Sequence, residues 1–161
     1  MKFLITLLAV FSFILWWGGF TFYAAFVIST GQKVLGDHVM MGFITEQVAS
    51  KINYAALIAC LLSFLNEWVR GGMKARLMRS FVVICLSVML GLVIALFILY
   101  PFLQDLLDHQ AHKEIDHDKF YLLHRIYLII SSALWVNGIV FIILSVNKYS
   151  SALRGNVAEK D

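Results

Sequence analysis

Four apolar stretches divide this chain, at roughly Phe3–Ser29, Ile52–Val69, Phe81–Leu103 and Phe120–Val146, and polar residues gather in the segments between them. At about 1.5 Å per residue, each run is long enough to cross the roughly 30 Å of hydrocarbon in a bilayer. None alternates with the period of two that marks a membrane strand. Backbone polar groups in lipid must be paired within the protein, so uninterrupted apolar runs of this length imply helices. The pattern predicts an all-α integral membrane protein, an up–down bundle of four transmembrane helices in a single membrane domain spanning 1–161.

The segments between the runs are not all plain linkers. In Thr30–Lys51, Gly36–Asp37 offers a helix start. Val39, Phe43 and Val48, with Met40 and Ile44, form a loose apolar stripe, while Glu46, Gln47, Ser50 and Lys51 stay polar. This predicts a short amphipathic helix in the first outer loop, or an outward extension of the second helix. The first run begins Met-Lys, as a secretion signal does. It far exceeds the roughly 7–15 residues of a signal's apolar region, and Ala24–Ala25 sits in a continuing apolar context, so we read it as a retained helix. The single proline, Pro101, lies at the end of the third run, where it can stop a helix without kinking one.

Composition agrees with lipid as the main solvent. Hydrophobic residues make up 61% of the chain and charged ones 14%, with a mean hydropathy of +0.83, whereas soluble domains carry about 45–50% apolar residues. No basic run with interleaved aromatics suggests nucleic acid. Cys60 and Cys85 both fall inside apolar runs, where thiols act as small hydrophobes and imply no disulfide framework.

Charge sets the expected orientation. The segment RGGMKARLMR holds Arg70, Lys74, Arg76 and Arg79 without an acid; Lys148, Arg154 and Lys160 follow the last run, and Lys2 precedes the first. Those eight basic residues share a side with three acids. The opposite side holds five, Lys33, Lys51, Lys113, Lys119 and Arg125, against seven acids. Lys and Arg favour the cytoplasm, so both termini are expected there and the two longer loops outside, in the inner membrane of a bacterium.

All five histidines fall on or near that outer side. His109, His112 and His117, with Asp116 and the more deeply placed His124, offer the imidazole and carboxylate ligands that zinc and copper accept. His124 lies within a span, where an ionisable group normally faces protein or a wet cavity. Tyr23, Thr30 and Asn53 are its expected neighbours by depth. Its own face carries Leu128, Ser131, Trp135 and Gly138, small in two places. Gly18 and Gly19 offer a close-packing point in the first helix, Asn66 and Glu67 an anchor beside Arg70, and Asn137 a bridge between two helices. Tyr23, Asn53 and Asn137 are thus structural polar candidates.

Other chemistry has no foothold. A bis-histidine haem needs two histidines in facing spans, and only His124 lies in one. There is no P-loop, nucleophile elbow, HExxH or CxxC. The centres of all four runs are nearly bare of ionisable groups, unlike a solitary ion or proton pathway.

Three stretches carry a family resemblance: WWGGFTFYAAFVISTG, GFITEQVASKIN and FYLLHRIYLIISSALWVNG. With W-x-G-G in the first helix and an aromatic-x3-H-R start to the fourth, the chain resembles the small four-helix membrane proteins of transmembrane-protein-205 type, a family known mainly as a domain of unknown function. More distantly it is similar to the longer copper-resistance D proteins, which are linked to copper handling. The resemblance implies fold and topology and assigns no activity. The expected function is non-enzymatic, a structural or accessory subunit that contacts lipid and other subunits or copies of itself. No cofactor is firmly implied. The alternative is copper or zinc binding, or small-solute binding, at the outer face through His124 and the His/Asp-rich loop, with a polar pocket opening outward between the first, second and fourth helices.

Overall fold

The computed structural model describes every residue except 37, 71–75, 109–112 and 159–161, and the side chains of these residues and of 38, 39, 76, 77, 113, 114, 149 and 151–158 stay outside the description. Helix α1, Lys2–Phe22, passes through a π-helical segment, Tyr23–Val27, into α2, Ile28–Leu35. Gly36 ends this rod with φ +63°, a left-handed conformation that costs glycine nothing, and its N–H caps the Gln32 carbonyl at 3.1 Å. Helix α3 then runs His38–Arg70, α4 Arg76–Gln104 and α5 His117–Ala158. Between α4 and α5, β1 (Leu107–Asp108) and β2 (Lys113–Glu114) pair antiparallel.

Four helical rods, Lys2–Leu35, Met40–Arg70, Met78–Gln104 and His117–Lys148, are long and apolar enough to cross a membrane. They form an all-α, up–down four-helix bundle. The start of α1, the end of α3 and the later part of α5 meet at one end, called here the arginine end. The Gly36 turn and the α4–α5 connection lie at the other, the histidine end.

The amphipathic stretch expected in the first loop takes the second of its two forms, because α3 is continuous from His38. Its 33 residues span about 50 Å at the helical rise, well beyond the hydrocarbon thickness. Nothing in 38–51 breaks the helix, and its buried face continues unbroken into the span. Glu46, Asn53, Cys60 and Glu67 recur every seven residues and all are buried. That spacing keeps one seam facing a neighbour. Pro101 also differs from expectation. It lies inside α4, which runs on to Gln104, so the missing N–H weakens only the last turn.

The core follows from the seams. On α4, Val82, Leu86, Met89, Val93 and Leu96 alternate by four and three and are almost completely buried. They meet the small Ala56, Ala59 and Cys60 of α3, whose short side chains let the helices approach. Phe13 and Trp16 of α1 and Leu134 of α5 complete the cluster. Without a hydrophobic drive between helices in lipid, polar pairs matter more. Asn137 Nδ2 donates to the Cys85 carbonyl at 3.2 Å and its Oδ1 accepts from Cys85 Sγ at 2.8 Å, joining α5 to α4. At the arginine end Thr6 Oγ1 donates to Asn66 Oδ1 at 2.7 Å and accepts from Arg70 Nε at 2.8 Å, while Lys148 pairs with Glu67.

The predicted close contact at Gly18 and Gly19 is absent, since a Cβ at either would meet nothing within 4 Å. Between α1 and α5 the close approach is at Gly138, where a Cβ would stand 2.7 Å from Trp17 Cδ1; Gly31 of α2 is similarly tight against Met41 Sδ of α3. Trp17 stacks on Trp135 with centroids 5.4 Å apart, and Trp135 Nε1 donates to Thr21 Oγ1 at 2.8 Å. These indoles close the bundle between α1 and α5.

Candidate functional site

Toward the histidine end the residues on the helix seams change from aliphatic to polar and aromatic. On α5 the seam reads Phe120, His124, Tyr127, Ser131, Leu134, and on α3 it reads Glu46, Ala49, Asn53, Ala56. Among the described residues, two of the cavities there reach from α3 to α5. An inner one of about 160 Å³ is walled by Trp16 and Tyr23, Thr45 and Asn53, and Tyr127 and Ser131. An end cavity of about 250 Å³ is walled by Glu46, Tyr100, Phe120, Tyr121, His124 and Tyr127. Thr45, Ala49 and Tyr127 line both, so they form one groove with a waist.

Hydrogen bonds hold the walls. Tyr23 OH donates to Thr45 Oγ1 at 3.1 Å, and Thr45 Oγ1 donates to the Met41 carbonyl at 2.8 Å. Asn53 Nδ2 donates to Tyr127 OH at 2.9 Å across the α3–α5 gap. The π-helical segment lies beside Thr45. Its wider turn places Tyr23 and Ala24 in the wall of the inner cavity, and such turns recur at functional sites.

Glu46 is the group that sequence reasoning misplaced. The pattern puts it among the polar positions of an amphipathic stretch, yet it is only 8% exposed. Gln104 Nε2 donates to Glu46 Oε1 at 2.8 Å and to Tyr100 OH at 3.1 Å, and Tyr100 OH donates to the Glu46 carbonyl at 3.3 Å. The signal that finds it is the seven-residue recurrence with Asn53, Cys60 and Glu67. The apolar stripe does not reveal it, because Met40 and Ile44 are exposed and Phe43 and Val48 half-buried, while the polar Glu46 is the buried one.

His124 lines the end cavity and stacks on Phe120, with centroids 5.7 Å apart and planes 12° from parallel. The neighbours expected for it by depth have other engagements, Tyr23 with Thr45 and Asn53 with Tyr127. Arg125, beside it, is exposed. His117 opens α5 with its ring 4.4 Å from that of Tyr121. Asp116 caps the same helix: its Oδ1 accepts from the Lys119 N–H at 3.1 Å and its Oδ2 pairs with Lys119 Nζ at 3.3 Å. The Lys119 backbone bond, then its side chain, hold the Asp116 carboxyl below its ordinary value. His109 and His112 lie outside the described residues. Among the described residues, no three of His, Cys, Asp and Glu gather as a metal site.

The class this geometry defines is a four-helix integral membrane protein with a groove at one end. No family model matches the chain, and no curated protein or solved structure matches it either.

Proposed function

We propose that this is a non-enzymatic membrane protein that takes a small solute into the groove at its histidine end. The observation that carries the reading is the pair of joined cavities, about 160 and 250 Å³, between the same helices that hold His124, Asn53 and Tyr23. Ligand sites in helical membrane proteins form where helices separate around a few convergent polar groups, with mostly apolar walls. The groove has that character, and a π-helical turn supplies part of its wall. We place both termini in the cytoplasm of a bacterial inner membrane, on the Lys/Arg asymmetry, so the groove opens outward. The accessory-subunit reading rests on apolar outer faces that lipid covers equally well.

Trp16 lines the inner cavity and reports on it. Tribromoethanol, a small quencher of indole fluorescence, is expected to quench the purified protein with a saturable component. Ala49→Phe, which fills the waist, should remove that component and leave the linear quenching from lipid-facing indoles such as Trp68, 81% exposed. Quenching that is linear in both proteins would refute solute binding. Metal analysis of the same preparation, with and without replacement of His109, His112 and His117, decides whether copper or zinc belongs to this end.

A further inference from the structure

Resting on the solute-binding reading, we infer that the solute enters from the membrane itself: it is an uncharged amphiphile, a hydroxyl on an apolar chain, that reaches the inner cavity through a mouth between the π-helical segment and α5. The exposure of the walls places the mouth. Of the residues lining the inner cavity, those of α3 and α4 are buried or half-buried, whereas Ala24 of the π-helical segment and Leu128 and Ser132 of α5 are exposed. Toward the arginine end the same seam is shut. There Trp17 stacks on Trp135 and covers Gly138, and Phe13 packs on Phe141 with centroids 4.9 Å apart.

Depth decides what fills it. Ser132 lies at the middle of the α5 span, His117–Lys148, and Ala24 is within about two helical turns of the middle of the first, Lys2–Leu35. Both fall inside a hydrocarbon layer about 30 Å thick, so the mouth meets acyl chains rather than water. Among the described residues, no Asp, Glu, Lys, Arg or His lines the inner cavity, which leaves a charged solute nothing to pair with at that depth. Its polar groups are neutral. Tyr23 is joined to Thr45 and Asn53 to Tyr127, and their hydroxyl and amide oxygens keep lone pairs that can accept from a further hydroxyl. A solute hydroxyl satisfied there no longer needs water. The cavity, about 160 Å³, is too small to enclose a long chain as well, so the chain leaves by the mouth and stays in lipid.

Competition in phosphatidylcholine vesicles tests the route and the ligand together, with tribromoethanol quenching as the reporter. Hexadecanol, whose chain cannot be enclosed, is expected to displace tribromoethanol from its saturable site. Hexadecane, without the oxygen, and hexadecyl sulfate, with a charge, should each compete about tenfold more weakly at the same mole fraction in the bilayer. Ala24→Phe and Ser132→Phe narrow the mouth at exposed positions, where a ring does not disturb the core. Each should weaken hexadecanol by about tenfold while tribromoethanol quenching stays saturable. No competition by hexadecanol while tribromoethanol still saturates, equal competition by hexadecane or the sulfate, or unchanged hexadecanol competition in the two mouth variants would each overturn the inference. Absence of saturable tribromoethanol quenching in the wild type would instead remove the underlying reading.

Discussion

A single absent methyl sets the distance between α1 and α5. A Cβ on Gly138 would lie 2.7 Å from Trp17 Cδ1 and 2.9 Å from Nε1. The indole cannot swing aside easily, because it stacks on Trp135 and donates from Nε1 to the Trp135 carbonyl at 3.3 Å. Gly138→Ala should therefore destabilise the bundle by about 1–3 kcal/mol, the usual cost of overpacking. Gly19→Ala, in open space, should cost nothing and can gain from helix propensity. Denaturant titration in mixed micelles checks both, and similar shifts for the two would show that the tryptophan contact does not set the packing. In the sequence the adjacent Gly18 and Gly19 mark a packing point, whereas Gly138 is one small residue on a longer face. Composition marks where a helix can be approached. Only the partner's side chain decides where it is.

Among the elements, the beginnings of α3 and α5 show what patterning conveys and where it stops. The four spans were legible because lipid demands long apolar runs and allows little else. The entry to α3 was legible only as two alternatives, since an amphipathic stripe suits a surface helix and a helix extension alike. The burial of Glu46 depends on the seven-residue seam meeting α4, a tertiary fact that no local window contains. The start of α5 was read as a source of metal ligands, and the structure gives one of them, Asp116, a capping role. Asp116→Ala is expected to speed amide exchange at Lys119 and Phe120, whose N–H groups bond the Asp116 side chain and carbonyl. Asp116→Asn should preserve protection, because an amide oxygen can still accept. The carboxyl is held below its ordinary value of 3.8, so its contribution is complete above that pH and is lost as pH falls through the lowered value. Protection that is the same in Asp116→Ala as in the wild type between neutral and acid pH would show that the cap does not hold this turn.

At the scale of the whole molecule, the bundle converts a charge imbalance into a statement about which compartment the groove meets. The up–down arrangement puts the end of α3, the start of α4, the start of α1 and the later part of α5 at one end, and the groove with the β1–β2 pair at the other. Eight Lys and Arg residues against five, with the acid-free segment Arg70–Arg79 among the eight, favour a cytoplasmic arginine end. The native thiols make this simple to test. Cys60 is 0% and Cys85 6% exposed, both within the core, so neither should react with a membrane-impermeant maleimide. Ile115→Cys replaces a side chain 66% exposed between β2 and α5 and should label in intact cells. Lys74→Cys, in the basic segment, should label only after permeabilisation. The reverse pattern would turn the groove toward the cytoplasm, and any solute it binds would then be an internal one. Labelling of both sites in intact cells would break the up–down arrangement itself, because α4 alone separates them along the chain and must cross the membrane once.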